Sequence, residues 1–476
     1  MKRYYGLAIF ILVFGIYLLS LNGVWATDHP SSFIQLDWSI WANHSFSVND
    51  SQSVTNPVYS MDDFLLNGNW YIASPPGLSF FSLPFVIIGF LMDGYSPFGQ
   101  VLLFSEAFVA LAGAITAYLM YKTSRMFFQE KTSIFLALAT GFSTLLWPFA
   151  TYYFQHDVSS MFVLLAAYLA LKITRNHGSD FRTPLFLACG LAAGCALLVD
   201  YVAALLIPVV AIFLLLKTKK FSKVIYFLAG GLAGALTVLA YNLSAFGKIF
   251  TTSQNLYDGK PFLSDFSMPI LQGLFTNFLS PYRGLFLYCP LTILAPIGFY
   301  LMFKKSAQRS QVVLILAVML SIVIPYSMWQ DVTAGVSFGP RFLIPAIPFL
   351  ILPIGSVIER SLVAKRFAYV LYSIGAVVNG SAALVSVIHP NFPTIPPWTT
   401  QIFGYMLSSV ASGNLDVWWL NQLGQFWWVM AFLIVASPIA SLLVMNRFVP
   451  EEKEQRAEAS KVILIPVPEI RHRQSD

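Results

Sequence analysis

Charged residues are scarce in this sequence of 476 residues. Only 11% of the chain is charged, whereas a soluble domain carries about 25%. No lysine or arginine occurs between Arg3 and Lys122. Together with a mean hydropathy of +0.69 and repeated long apolar runs, this scarcity excludes a soluble globular chain and predicts a polytopic helical membrane protein.

Other absences narrow the class further. The three cysteines lie in or beside apolar runs, so neither a disulfide framework nor a cysteine metal site is expected. The chain has no phosphate-binding loop, dinucleotide fingerprint or zinc signature, so no cofactor is predicted, although several outer carboxylates leave a divalent metal open. No period-two alternation supports a β-barrel. The net charge of +6 is scattered between apolar runs and predicts no nucleic-acid partner.

The apolar runs predict an all-α polytopic fold with about twelve transmembrane helices. The predicted spans are residues 5–21, 98–121, 132–149, 157–172, 183–199, 202–216, 224–244, 284–303, 311–329, 341–358, 367–389 and 426–445. A further run at 78–92 has only about fifteen residues and contains Pro84, which is short for a crossing. We predict that it forms a juxtamembrane or re-entrant helix on the outer face.

Positive charge sets the predicted topology. If residues 78–92 do not cross the membrane, every basic cluster after Lys122 falls on the same side as Lys2 and Arg3. The opposite side then receives the acidic loops, so both termini are predicted to be cytoplasmic in a plasma-membrane protein. This topology divides the chain into a membrane domain at 1–445, containing an extracytoplasmic first loop at 22–97, and a short cytoplasmic tail at 446–476.

The first loop is acidic and aromatic. It carries Asp28, Asp37, Asp50, Asp62 and Asp63, and we interpret it as holding an active site. Asp37 lies in the middle of an amphipathic run and is predicted to be on its solvated face. Other ionisable or polar side chains lie at outer ends of spans, where such groups are costly and usually functional. They are His156, Asp157, Asp200, Tyr201, Lys248, Arg283 and Arg341.

Several short motifs then point to a family. Asp28 follows the first apolar run, and the loop ends in a Gly-x-x-Tyr-x-x-x-Pro-Pro-Gly pattern at Gly68–Gly77. Further motifs are Trp147-Pro148, Phe154-Gln155-His156, Asp200-Tyr201, Arg283-Gly284-Leu285-Phe286 and Phe338-Gly339-Pro340-Arg341-Phe342. The set resembles the lipid-phosphate-sugar-dependent glycosyltransferases of the C-type membrane fold, nearest to their protein mannosyltransferase and aminoarabinose transferase branch. The resemblance covers most of residues 1–345, and nothing after about 360 contributes to it.

The resemblance implies an inverting transfer from a polyprenyl-phosphate sugar donor to a lipid, glycan or protein hydroxyl outside the cytoplasm. Asp28 would be the base, and a carboxylate suits proton removal from a hydroxyl. A departing phosphate needs cations, for which Arg283 and Arg341 are the best candidates and Lys248 a weaker one. The pocket residues would be Tyr71, Pro76, Gly77, His156, Asp157, Asp200 and Tyr201. Membrane lipids are the remaining predicted partners.

Simpler explanations stay open for each residue. Asp28 precedes Pro30 and a helix, so it also fits a capping role, and Asp157 fits the cap of the following span. Arg341 also fits an interfacial arginine whose stem lies in the membrane. A transporter or flippase of an amphipathic substrate is the alternative function. It would be expected to have ionisable residues near mid-span and repeated halves, and the sequence shows neither.

Overall fold

A computed structural model of the protein describes residues 4–23, 29–49, 51, 62–92, 99–175, 183–331, 335, 337–387 and 402–449. These residues are predominantly α-helical, with a small hairpin in the first loop. The helices up to residue 246 are α1 (Tyr5–Leu19), α2 (His29–Ala42), α3 (Gly77–Met92), α4 (Gln100–Ser124), α5 (Glu130–Phe142), α6 (Leu146–Ala150), α7 (Gln155–Arg175), α8 (Thr183–Val199), α9 (Leu206–Thr218) and α10 (Phe221–Phe246). Residues Tyr201–Leu205 form a 3-10 turn that leads into α9.

The remaining helices are shorter and more often interrupted. They are α11 (Ser253–Asp258), α12 (Ile270–Phe278), α13 (Leu285–Tyr288), α14 (Ala295–Lys304), α15 (Arg309–Met328), α16 (Ile347–Ile351), α17 (Ile354–Ile358), α18 (Leu362–Ala383), α19 (Leu407–Ser412) and α20 (Trp427–Phe448). Short 3-10 segments lie at Phe262–Asp265, Pro290–Leu294, Ser306–Gln308, Arg341–Ala346 and Leu420–Phe426, and a π-helical turn lies at Ile402–Met406.

Every predicted apolar span overlaps a described helix. Three spans are broken rather than continuous, namely 132–149, 284–303 and 341–358. The last two contain prolines such as Pro290, Pro345 and Pro353, which cannot donate a backbone hydrogen bond within a helix. Six described helical segments are long and apolar enough to cross a membrane: Gln100–Ser124, Gln155–Arg175, Tyr201–Thr218, Phe221–Phe246, Arg309–Met328 and Trp427–Phe448. The number of crossings, about twelve, stays a prediction.

The first loop is a folded layer that packs on the helices. Strands β1 (Asp63–Leu66) and β2 (Asn69–Ile72) pair antiparallel around a tight turn in which Asn67 and Gly68 both have positive φ angles. This turn geometry matches the twist of a hairpin and favours an Asn-Gly pair. A Cβ atom at Gly77 would lie 2.4 Å from the carbonyl oxygen of Leu198, so a glycine lets α3 begin directly against the end of α8.

The prediction for Asp37 is wrong, because this residue is fully buried. Helix α2 packs on α3, with Trp41 stacked on Phe90 at 5.6 Å and Trp38 edge-on to the same ring at 4.9 Å. The Tyr153 hydroxyl donates to Asp37 Oδ2 at 2.6 Å from the other side. Asp37 therefore belongs to the interface between the first loop and the helical core, and not to a wet surface.

Two polar contacts hold the start of the first loop in place. The Glu106 carboxylate of α4 is buried and accepts the Gly23 amide at 2.9 and 3.2 Å. The Trp419 indole donates to the carbonyl oxygen of Leu19 at 2.9 Å. A residue of the chain after 360, which carried no resemblance, thus contacts the end of α1.

Candidate functional site

A cavity of about 290 Å³ opens where α7 begins, α8 ends and α15 ends. Four predicted site residues line it, namely His156, Asp200, Tyr201 and Arg341. They come from three different parts of the chain and meet because α7, the 3-10 turn after α8 and the 3-10 turn after the 335–340 segment all begin at this end of the bundle. The prediction that outer span ends form one shared hollow therefore holds for these four.

Asp200 is held by two donors at the wall of the cavity. Its Oδ1 accepts the backbone amide of Val202 at 3.0 Å and the hydroxyl of Tyr326 at 2.7 Å. Burial raises the pKa of Asp200, and these two hydrogen bonds lower it again in part. The contacts fix the carboxyl orientation, so Asp200 is a preset acceptor for a hydroxyl group of a ligand.

Arg341 lies within an aromatic frame. Its guanidinium stands 5.2 Å from the ring centre of Phe154 and 5.4 Å from that of Phe342. Each of these two rings stacks on a further ring. The His156 ring lies 6.0 Å from Phe154, and the Tyr326 ring lies 4.9 Å from Phe342, measured between ring centres. Aromatic faces attract a cation and exclude water around it, so the guanidinium is positioned for an anionic group in the cavity.

Carboxylates that the sequence did not single out as site residues complete the lining. Asp62 comes from the first loop, Asp258 from the end of α11, and Asp331 from the segment after α15. The Gln254 amide donates to Asp258 Oδ2 at 2.6 Å and fixes that carboxylate. Four aspartates and one arginine therefore line the same cavity. Such a lining suits a ligand with several hydroxyl donors and a single anionic group.

The Pro-Pro-Gly segment contributes its first half to the cavity. Ser74 and Pro75 line it, whereas Pro76 and Gly77 lie behind them at the start of α3. A chain of hydrogen bonds runs from the Tyr201 hydroxyl to Ser253 at 3.3 Å and from Ser253 to the Ser74 carbonyl oxygen at 3.2 Å. The predicted pocket role thus falls on Ser74 and Pro75, with Pro76 and Gly77 as shaping residues.

Two predicted pocket residues face elsewhere. Asp157 is fully buried against α1 and α4, where its Oδ1 would lie 3.3 Å from a Cβ atom at Gly113. Within the described part of the chain its carboxylate has no hydrogen-bond partner. Successive residues of a helix point about 100° apart, so His156 reaches the cavity and Asp157 does not. Tyr71 packs on Phe246 at 5.3 Å behind the hairpin.

Two of the three predicted phosphate ligands lie outside the cavity lining. Arg283 is fully buried, and its guanidinium donates to Ser337 Oγ at 3.2 Å, to the Gly339 carbonyl at 2.8 Å and to the Gly335 carbonyl. It therefore holds the segment that precedes Arg341. Lys248 follows the last turn of α10 and is exposed. Their roles as direct phosphate ligands stay predictions.

Asp28 lies outside the described residues. The nearest observation comes from Ser32, one helical turn later in the sequence, whose hydroxyl donates to Asp63 Oδ1 at 2.8 Å. Asp63 is the neighbour of Asp62, which lines the cavity. The first turn of α2 thus lies next to the cavity rim. Among the described residues, no group of three or more His, Cys, Asp or Glu side chains is arranged to hold a metal.

An apolar groove of about 320 Å³ adjoins the cavity and shares Tyr201 and Val202 with it. Its remaining wall comes from the 3-10 turn before α9, the segment around the 3-10 turn at Phe262–Asp265 and the end of α15, namely Ala204, Leu205, Leu263, Phe266, Ile324, Pro325 and Met328. Leu205 and Leu263 are exposed, so the groove reaches the surface of the bundle. The polar cavity and the apolar groove therefore meet at Tyr201.

Comparison with known proteins gives one family match and several matches in fold. Residues 98–244 match the family model of dolichyl-phosphate-mannose-protein mannosyltransferases. The structure of ArnT from Cupriavidus metallidurans bound to undecaprenyl phosphate is similar, with a TM-score of 0.56 and 15% identity over 93% of this chain and 72% of that one. The resemblance to C-type membrane glycosyltransferases is confirmed. No curated protein sequence matches this chain.

Two further structures share this glycosyltransferase fold. ArnT from Cupriavidus metallidurans in the apo state has a TM-score of 0.54 at 14% identity, over 93% of this chain and 72% of that one. The archaeal oligosaccharyltransferase AglB from Archaeoglobus fulgidus, in complex with an inhibitory peptide and a dolichol-phosphate, has a TM-score of 0.50 at 11% identity. That match covers 79% of this chain and 56% of AglB. At these identities the likeness concerns the fold.

Proposed function

We propose that this protein transfers a sugar from a polyprenyl-phosphate donor to an acceptor hydroxyl, with inversion at the anomeric carbon. One observation carries the proposal: an arginine in an aromatic frame faces a carboxylate-lined cavity that joins an apolar groove at Tyr201. The three chemical parts of such a donor, sugar, phosphate and prenyl chain, each have a matching surface here.

The donor is assigned part by part. Its phosphate lies at Arg341, and its prenyl chain follows the groove between the start of α9 and the end of α15. Its sugar occupies the cavity, where Asp200 and Asp258 accept hydrogen bonds from hydroxyl groups. The cavity of about 290 Å³ lies just below the range of roughly 300–1,000 Å³ for ligand pockets, which favours one sugar unit over an oligosaccharide.

The proposed reaction has a single displacement. Asp28 takes the proton of the acceptor hydroxyl while the hydroxyl oxygen forms a bond to the anomeric carbon of the sugar. The bond between that carbon and the phosphate oxygen breaks, and polyprenyl phosphate leaves as an anion beside the Arg341 guanidinium. The leaving group needs no proton, so no general acid is required. The family resemblance assigns the base to Asp28, and the Ser32–Asp63 hydrogen bond joins the first turn of α2 to the residue after Asp62.

We place the reaction at the extracytoplasmic face of the plasma membrane, within a membrane domain at 1–445. The acceptor is a lipid, glycan or protein hydroxyl that reaches the cavity from outside. Both termini, including the tail at 446–476, are assigned to the cytoplasm. The positive-inside pattern supports this orientation.

The test is a turnover assay with the purified full-length chain. Radiolabelled polyprenyl-phosphate sugars are incubated with the protein and a membrane extract, and release of polyprenyl phosphate and label in the acceptor are both measured. The unsubstituted protein should consume donor, Asp28→Asn should lose at least about 100-fold in turnover, and Arg341→Gln should lose at least about tenfold.

Glu359→Gln is the control, because it removes one exposed carboxylate that lies outside the cavity lining and should retain turnover. Equal turnover by Asp28→Asn and the unsubstituted protein would remove Asp28 from the mechanism. Labelled lipid that moves across vesicles without donor consumption would instead identify a transporter.

A further inference from the structure

A second polar cavity of about 220 Å³ lies at the other end of the helical bundle. It is formed by the start of α5, the turn between α17 and α18, and the first two turns of α18. Helix α7 runs unbroken for 21 residues from Gln155 to Arg175, whose guanidinium donates to the Met126 carbonyl oxygen close to the start of α5. At about 1.5 Å per residue this places the cavity roughly 30 Å from the site at His156. This is the face that the basic loops assign to the cytoplasm.

The cavity has a cationic interior and an acidic group at its edge. Lys131 and Lys365 are both half-buried in its wall, whereas Glu359 is exposed. The Glu359 carboxylate accepts the Gln129 amide at 2.8 Å, and the Lys131 ammonium donates to the Asn446 carbonyl oxygen at 3.1 Å. The N-terminus of the 22-residue helix α18 adds its partial positive charge at the same place. The site therefore favours an anion.

An apolar stripe begins at the rim of this cavity. Leu362 lines the cavity and is 60% exposed, and Val363 is 78% exposed. The exposed positions continue along α18 at helical spacing, through Phe367, Val370 and Ile374. An apolar face of this length on a membrane protein contacts lipid chains. An occupant of the cavity would thus have an anionic head and an apolar chain alongside α18.

We propose that this cavity binds the head group of an anionic phospholipid of the cytoplasmic leaflet. The phosphate lies between Lys131 and Lys365, over the wall formed by Phe135 and Tyr369, whose rings pack at 5.0 Å. The acyl chains follow the stripe from Leu362 along α18. A free inorganic anion would contact the same lysines, but it has no apolar part to contact the apolar stripe along α18. This site is independent of the sugar-transfer proposal.

The test measures lipid binding by the full-length protein in detergent, and native mass spectrometry is the readout. Dioleoyl phosphatidylglycerol is titrated against dioleoyl phosphatidylcholine, which has the same chains and no net charge. The protein should retain phosphatidylglycerol preferentially, and Lys131→Gln/Lys365→Gln should lower its binding by at least about fivefold. The matched control Lys217→Gln/Lys219→Gln removes two exposed lysines at the same end, outside the cavity, and should retain binding.

Thermal unfolding of each variant shows whether it is folded before binding is compared. Equal binding of the two lipids, or an equal loss in both double variants, would overturn the proposal. Inorganic phosphate that competes with phosphatidylglycerol at similar concentration would also overturn it, because the chain would then contribute nothing. A further contrary outcome is lipid binding only by a variant whose acidic tail is neutralised by Glu451→Gln/Glu452→Gln/Glu454→Gln. In that case the tail, and not a lipid, would occupy the cavity of the unsubstituted protein.

Discussion

Asp37 shows how one buried carboxyl group can make this fold sensitive to pH. Burial raises its pKa from the ordinary 3.8 to about 7, against the opposing effect of hydrogen bonds from Tyr153 and Ser79. Below about pH 4 the group is protonated in both the folded and the unfolded chain. As the pH rises toward 7, only the unfolded chain releases the proton, so the free energy of unfolding falls by up to about 4 kcal/mol.

Asp37→Asn removes this titration and should therefore raise the unfolding temperature at pH 8 relative to the unsubstituted protein. The difference should shrink as the pH is lowered to 5, because the native carboxyl is then neutral as well. Thermal unfolding in detergent across this range measures both effects. Tyr153→Phe is the informative companion, since loss of its hydrogen bond should raise the folded pKa of Asp37 and extend the fall in stability to higher pH. The same gain from Asp37→Asn at every pH would contradict this account.

Arg283 and Arg341 differ in what their guanidinium groups contact, so their lysine variants should separate. Arg283→Lys leaves carbonyl oxygens of the 335–339 segment without the planar donor that they share, and should lower stability by about 2–4 kcal/mol. Donor turnover then falls because Arg341 is misplaced. Arg341→Lys should lower turnover with a smaller effect on stability.

Unfolding temperature and donor concentration dependence, measured on both variants, distinguish the two roles. If Arg283→Lys kept the stability of the unsubstituted protein and only weakened donor use, Arg283 would be the direct phosphate ligand that its position in the sequence first indicated.

At the scale of elements, the contact between α8 and α10 carries the Asp200 side of the cavity. A Cβ atom at Gly190 would lie 1.8 Å from the Phe227 carbonyl oxygen, and one at Gly234 would lie 2.1 Å from that of Gly194. These backbones touch because glycine lacks a side chain, as in other membrane helix pairs. Gly190→Ala should separate the helices, lower the unfolding temperature and reduce donor turnover, because Asp200 directly follows the end of α8.

Gly15→Ala in α1 is the control, since nothing lies within 4 Å of its added methyl group. Alanine is the better helix former by about 1 kcal/mol, so this variant should be as stable as the unsubstituted protein or more so. Normal stability and turnover in Gly190→Ala would show that the two helices can move apart without affecting the site.

Helices were predictable from the sequence where the length of an apolar run alone decides their position. Helix breaks and strands were missed, because proline spacing and turn residues decide those. Hydropathy located a helix in every predicted span. It did not reveal the breaks in 341–358, which follow from the spacing of the prolines there. The hairpin at 63–72 carried its signal in Asn67-Gly68, but two short strands give little periodicity to read. Asp37 was misassigned because the residues that contact it, Tyr153 and Ser79, come from separate segments.

At the scale of the whole molecule, the candidate site forms only when distant segments meet. Topology predicted that His156, Asp200 and Arg341 would share one end of the bundle, and these three line the cavity. Asp258 and Tyr326 were missed because their importance depends on side-chain direction, which the order of helices does not reveal. The same limit explains Asp157, whose position in the chain is right and whose side chain faces α1 and α4.

Orientation in the membrane can be tested with two cysteine variants at opposite ends of one helix. Lys260→Cys lies near Gln330, just beyond α15, and Lys305→Cys lies just before its start. The 20 residues of α15 separate these ends by roughly 30 Å, the thickness of a bilayer core. Both lysines are exposed, and the native cysteines are buried or half-buried.

A membrane-impermeant thiol reagent applied to intact cells should label Lys260→Cys and should reach Lys305→Cys only after the membrane is opened. The unsubstituted chain gives the background from its native cysteines. The reverse labelling would place the cavity at Arg341 in the cytoplasm, where an acceptor outside the cell is out of reach. Orientation therefore decides which acceptors can reach the cavity, independently of the chemistry within it.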